Sequence, residues 1–352
     1  MSSRSLRRGP AAACLLALLL CAPASGAVRP DTPYGIHSML YADAPSSFKE
    51  AMFREAAALG ASSIRVDVFV PAIVTGRNGE RDWRSLDEYV RLARRYRLQV
   101  VGVLLGTPGW LEVCPEGTSI MDAFKCPPSD AAELAGDLGE IAARARGVID
   151  DWEVLNEPDG RWAYLGAPAD YARQLQASAA AIHAANPRAR VLLGGVMTLA
   201  SRPWLRAVFA AGRPGLAASI DVANVHLRGS LGSLARTIRC WRRFFARQGV
   251  RAPLWVTEHG YPSDPAYQRD PAFAGGEPAQ AAYLARSLRV LTRAGAARVF
   301  VTERDNLGGA FASEGLLAGT VADPPQPDPV IRRKLAAAAF RSAALRPRRA
   351  RR

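Results

Sequence analysis

Asp151-Trp152-Glu153-Val154-Leu155-Asn156-Glu157-Pro158 reads as a short buried strand that stops at a polar cluster. Trp152, Val154 and Leu155 suit a strand covered on both faces. Pro158 cannot donate to a sheet ladder, so the strand ends there and leaves Asn156 and Glu157 side by side at its C-terminal end. In parallel α/β architectures that end is where ligands collect. A second stretch matches it: Pro253-Leu254-Trp255-Val256-Thr257-Glu258-His259-Gly260-Tyr261, an apolar run finishing on a glutamate. Either glutamate alone reads as a solvated strand end. Two of them, brought to one rim by separate strands of a repeating β/α chain, read as a pair working on one bond.

The rest of the chain supplies that repeat. Strands are predicted at 34–39, 61–69, 98–106, 149–156, 190–197, 220–226, 253–259 and 298–303. Helices fall between them: from a cap at Ser46 or Ser47 to Leu59, from Asp82 to Tyr96, and over 130–146, 169–185, 204–209, 231–248, 280–294 and 330–345. Alternation on this scale implies a parallel sheet with helical crossovers, and eight units fit a single closed (β/α)8 TIM barrel of the α/β class over residues 28–345. Gly194-Gly195 lies within a strand and not at a strand-to-helix turn, which disfavours a dinucleotide fold.

The ends of the chain read differently. Arg4, Arg7 and Arg8 precede an apolar run from Ala11 to Ala22, and small residues follow, the pattern of a secretory signal over residues 1–27. Its apolar run is too short for a comfortable membrane span, so a secreted, monomeric mature chain without a membrane span is expected. Cys14 and Cys21 leave with the signal, and export allows Cys114 and Cys126, which share one loop, to pair. Closing so short a loop adds roughly 3 kcal/mol in the chain-entropy model. Cys240, in an apolar helix stripe with Trp241 and Phe244, is expected to be a free buried thiol. The net charge of +14 is almost entirely arginine, since Lys49, Lys125 and Lys334 are the only lysines. Its bases are scattered through helices and not interleaved with aromatics, so no nucleic acid is expected as a partner; an anionic polysaccharide is the alternative acidic partner. Residues 346–352 form a basic tail, expected to be disordered.

Two carboxylates flanking a glycosidic bond can hydrolyse it, and at about 5–5.5 Å apart they do so with retention through a covalent intermediate. Arg65, inside the second strand, is placed to reach Glu258 and favour its ionised form, while burial and an anionic neighbour keep Glu157 protonated. The alternative for Arg65 is a structural pair with Asp67 or a helix carboxylate. Asn156 is the candidate for a sugar 2-hydroxyl, Trp110 for stacking on a sugar face or packing under its loop, and His226 for orienting a carboxylate or touching a hydroxyl. Tyr261 is expected to bond the nucleophile or line the pocket, and His37 ends the first strand. His183 reads as structural, and His259 should point away from the rim by strand alternation. No metal-ligand spacing and no cofactor motif stand out.

Trp-Glu-Val-Leu-Asn-Glu-Pro at 152–158 and Trp-Val-Thr-Glu-His-Gly-Tyr at 255–261 resemble the acid/base and nucleophile strands of clan A glycoside hydrolases. Thr107-Pro108-Gly109-Trp110 and the strand-two Arg65 resemble family 39, which contains β-xylosidases and α-iduronidases, and less closely the cellulase-like family 5. The resemblance implies a secreted O-glycosyl hydrolase acting on a polysaccharide or glycoconjugate, with Glu157 as acid/base and Glu258 as nucleophile. The sequence departs from many relatives at two rims. His226-Leu227-Arg228 stands where strand six often ends His-x-Tyr, and Thr302-Glu303-Arg304-Asp305 where strand eight often supplies a tryptophan. Arg228 and Arg304 therefore suggest either an acidic sugar or rim salt bridges with Glu303 or Asp305. With those aromatics missing, a catalytically silent polysaccharide-binding barrel is the competing expectation.

Overall fold

The computed structural model describes residues 32–305, 308–319 and 331–346; the expected signal segment and all of the basic tail beyond Arg346 lie outside them. Eight strands and eight longer helices alternate, with one extra helical turn after the second strand: β1 (Tyr34–His37), α1 (Ser46–Ala58), β2 (Ser63–Phe69), α2 (Val70–Ile73), α3 (Arg84–Tyr96), β3 (Gln99–Leu105), α4 (Ala131–Arg144), β4 (Asp151–Val154), α5 (Pro168–Ala185), β5 (Arg190–Leu193), α6 (Arg202–Ala211), β6 (Ala223–His226), α7 (Leu231–Arg247), β7 (Leu254–His259), α8 (Glu277–Ala294), β8 (Ala296–Thr302) and α9 (Leu335–Ala344). Two further short strands, β9 (Leu317–Ala318) and β10 (Arg332–Arg333), pair antiparallel after the eighth unit. All pairings among β1 to β8 are parallel, in the order β5-β4-β3-β2-β1-β8-β7-β6. The remaining edges meet through isolated parallel bridges, Leu192 with Val222 and Val196 with Val225, which bring the sheet round into a (β/α)8 barrel.

The apolar pattern explains the layers. Val101, Leu192, Val222, Trp255 and Phe300 form a separate cluster, while the larger core lies between strands and helices. Trp152 belongs to that outer layer and packs where Gly102 has no side chain: a β-carbon there would lie 2.6 Å from the indole. The element boundaries follow local chemistry. Asp130 caps α4 by accepting from the Ala132 and Glu133 amides. At α1, Pro45 takes the N-cap position in place of the serine cap expected, and Ser46 begins the helix.

Cys114 and Cys126 are joined, with a Cα–Cα distance of 5.1 Å. Cys240 is free, but half-buried and not buried as expected. Two of the three lysines are buried beside carboxylates, Lys49 by Glu88 at 3.1 Å and Lys334 by Asp305 at 2.5 Å. No helix of the described residues is long and apolar enough to cross a membrane.

Candidate active site

The fourth strand ends two residues earlier than its apolar run suggests, and the backbone shows why. Leu155 and Glu157 both adopt positive φ, 63° and 44°. Non-glycine residues seldom do so, because Cβ crowds the backbone, and such geometry is typically held in place at functional sites. In a regular strand Asn156 would point opposite to Glu153. The turn at Leu155 breaks that alternation, so Arg65 bonds both: Nη2 donates to Glu153 Oε1 at 3.0 Å and to Asn156 Oδ1 at 2.6 Å. The Glu157 amide then donates to the Gly195 carbonyl at 3.1 Å, tying the turn to the neighbouring strand end.

Glu157 meets two partners. Its Oε1 lies 2.7 Å from His226 Nδ1, and its Oε2 accepts from the Trp162 indole at 3.1 Å. His226 is buried at the end of β6 and also stands 3.6 Å from Glu258 Oε2. It fits because residue 195 is glycine; a β-carbon there would lie 2.1 Å from His226 Nε2. The expected β5 run to Met197 is thus cut at Leu193, where the Gly194-Gly195 pair leaves room for the fourth strand's turn and for this ring. On β7 a register shift sets Glu258 opposite His226.

Glu258 is ringed by four nitrogen-bearing side chains. Arg65 Nη1 donates to its Oε1 at 3.2 Å, and Arg228 Nη2 to its Oε2 at 3.3 Å. His37 Nε2 lies 3.4 Å from Oε1. Arg65 can only donate, so the 2.9 Å contact of Nη1 with His37 Nδ1 makes that nitrogen the acceptor and turns the imidazole N–H toward Glu258. Burial opposes ionisation of Glu258, but His226, His37, Arg65 and Arg228 outweigh it and hold its carboxyl well below the usual carboxylate range. Burial lowers His37 to about 3, so near pH 7 it faces Glu258 as a neutral N–H, while the guanidiniums of Arg65 and Arg228 carry permanent charge.

The two guanidiniums are themselves fixed. Arg65 is 1% exposed, and its Nε and Nη2 grip Glu153, which is fully buried, at 2.8 and 3.0 Å. Its main partner is therefore Glu153 on β4, not Asp67 or a helix carboxylate. Expected among the substrate-binding residues, Arg65 instead lies beneath the rim, spending its donors on protein acceptors. Arg228 pairs with Glu314 at 2.6 and 2.8 Å, not with Glu303 or Asp305, and its guanidinium lies 4.8 Å from the Phe311 ring centre. Glu314 accepts from Thr302 at 2.9 Å and occupies space left by Gly260, where a β-carbon would fall 2.8 Å from its carboxyl carbon. Arg304 donates to the Gly319 carbonyl and lies over Phe48. Since protein acceptors occupy both Arg228 and Arg304, the acidic-sugar expectation retains only the overall charge as support.

Other candidates fall elsewhere. Tyr261, expected to bond the nucleophile or line the pocket, is 4% exposed, bonds the Phe273 carbonyl at 3.1 Å and stacks on Tyr283 at 4.0 Å. The turn after His259 carries its ring into the packing beside α8. Trp110 is half-buried and packed against the core. His259 points outward to Ser287 at 2.8 Å, and His183 holds Asp221 at 2.7 Å. Sequence reasoning missed Glu153, Glu314 and Trp162. Glu153 could have been found as the inward neighbour needed by a buried arginine. Asp67, half-buried on β2, is pushed up to about 7 by burial, against the pull of Arg65 and with the push of Glu258 and Glu153. Glu157, His226 and Glu258 each bring a donor atom within 4.8 Å of the others, so they are the described set that could hold a cation.

A parallel (β/α)8 barrel with paired carboxylates at its rim is an architecture of glycoside hydrolases, and solved structures of that kind share this chain's fold. A family 39 glycoside hydrolase from Bacteroides cellulosilyticus WH2 matches with a TM-score of 0.67 and 16% identity, over 90% of this chain and 64% of that one. The chain thus spans just under two thirds of that protein's length. GH5_18 from Streptomyces cattleya, solved in complex with GlcNAc, matches with a TM-score of 0.61 and 18% identity over 88% and 79% of the two chains. A GH30 endoxylanase from Clostridium papyrosolvens C71 matches at 0.59 and 14% identity over 88% and 71%. No family model and no curated protein matches the sequence.

Proposed function

We propose that the chain is a secreted glycoside hydrolase that cleaves an O-glycosidic bond of a polysaccharide or glycoconjugate with retention of configuration. One observation carries the reading: carboxylate oxygens of Glu157 and Glu258 come within 4.8 Å of each other across the barrel mouth, one in an electropositive setting and the other in a strained turn. Such proximity favours the closer spacing used for retention over the wider one that admits a water between the groups. In the first step the ionised Glu258 attacks the anomeric carbon, the bond to the leaving oxygen breaks, and Glu157 gives that oxygen a proton. In the second step Glu157 takes a proton from water, whose oxygen displaces Glu258. Asn156, with its Oδ1 held by Arg65, is left its amide N–H to offer the sugar 2-hydroxyl.

The test is a panel of plant, microbial and animal oligosaccharides incubated with the full chain, with the first-formed anomer read by proton NMR. The expected result is turnover of at least one glycan with retained configuration, abolished in Glu258→Ala. Full activity in Glu258→Ala, or an inverted first product, overturns the assignment. Binding of a glycan without turnover would point instead to the silent barrel.

A further inference from the structure

Trp162 lies five residues beyond Glu157, in the loop between β4 and α5, and is 56% exposed. It is nevertheless held. Its indole N–H donates to Glu157 Oε2, and its ring lies against residue 160, where a β-carbon would come within 2.7 Å of Cζ2. A large apolar side chain kept this open to water contributes little to the core, while its fixed orientation makes it ready to receive a ligand.

Its position relative to the two carboxylates indicates which part of a substrate it meets. His226 stands between them, 2.7 Å from Glu157 Oε1 and 3.6 Å from Glu258 Oε2. Oε1 therefore faces the nucleophile side, and Oε2, with Trp162, the other. A general acid sits beside the leaving oxygen, so an aromatic on its far edge adjoins the leaving group. The electron-rich face of an indole attracts the polarised C–H groups of a pyranose, as it attracts cations and ring edges.

We propose that Trp162 is the platform for the leaving-group sugar, and hence that the bond cleaved joins two sugar rings and not a sugar and a small aglycone. The inference rests on the glycosidase reading above. Its test compares wild type, Trp162→Ala and Trp162→Phe on an oligosaccharide turned over in the panel and on the glycosyl fluoride of the same sugar. The fluoride presents no second ring and needs no protonation to leave. For Trp162→Ala, kcat/KM on the oligosaccharide should fall about 10- to 100-fold, and the loss on the fluoride should be about ten-fold smaller. Trp162→Phe, which keeps a face but loses the N–H, should recover most of the difference between the two substrates. Equal losses on both substrates, an oligosaccharide rate unaffected by Trp162→Ala, or no recovery with phenylalanine would overturn the platform and leave hydrolysis standing. If wild type turns over neither the panel nor glycosyl fluorides, the glycosidase reading fails and the platform falls with it.

Discussion

Arg228 Nη2 reaches Glu258 at 3.3 Å, while the same nitrogen and Nε hold Glu314 at 2.6 and 2.8 Å. The second residue past the end of β6 therefore gives Glu258 a permanent cation. Because that charge favours ionised Glu258, its loss should raise the carboxyl's pKa and move the acidic limb of the kcat/KM profile to higher pH, by about one unit. Arg228→Met paired with Glu314→Gln removes both members without leaving a stranded carboxylate. The pH–rate profile checks it, with Arg228→Lys expected to recover part of the shift.

Glu153 is fully buried and holds Arg65, whose guanidinium also reaches Glu258 and Asn156. Removing one partner of a buried ion pair leaves the other charge uncompensated, at a cost of about 3 kcal/mol. Glu153→Gln should lower the urea midpoint accordingly. It should also loosen Asn156, which shares Arg65 Nη2 with Glu153, so turnover should fall even at temperatures where the variant is folded.

Gly195→Ala puts one methyl group where the imidazole of His226 now sits. His226 cannot stay 2.7 Å from Glu157 with a β-carbon 2.1 Å from its Nε2. Activity should drop by about two orders of magnitude, the scale expected when a group that serves proton transfer is displaced. Circular dichroism should remain that of the parent.

Glu303, 1% exposed at the end of the eighth strand, is pushed up to about 8 by burial, against a smaller pull from Ser38. It is thus neutral in the folded chain through a range where an unfolded carboxyl, of ordinary value 4.5, ionises. Because the folded value is the higher, Glu303 lowers stability progressively as pH rises from about 4.5 to 8. Glu303→Gln should match wild type in melting temperature near pH 4 and exceed it near pH 8, by the equivalent of about 4 kcal/mol. Melting curves at the two pH values check both the sign and the trend.

Much of this architecture was legible in the sequence because alternation of strands and helices is a matter of period, and eight periods leave few folds. Arg65 was legible as a charge that a barrel interior must neutralise and as a partner of Glu258, but its closer partner, Glu153 on β4, was not anticipated. The fine structure of the rim was not legible. Two positive φ values on non-glycine residues, at Leu155 and Glu157, cannot be anticipated from residue types that disfavour them, and they decide which way Asn156 turns. Tyr261 follows the same lesson: two residues past the strand, alternation no longer says where a ring goes. Glu314 reaches the site from a loop 86 residues beyond Arg228 in the chain, and no local pattern marks it.

The β5–β6 junction, closed by isolated bridges where the other neighbouring strands share ladders, bears on how the molecule would fail. Glu157 stands on one bank of this seam and His226 on the other. A breathing motion that merely unzipped it would part the two long before the outer helices melted. Enzymatic competence would then be an early-warning gauge of the barrel's integrity, disappearing under mild denaturant while bulk helicity is still intact, and returning when the seam heals.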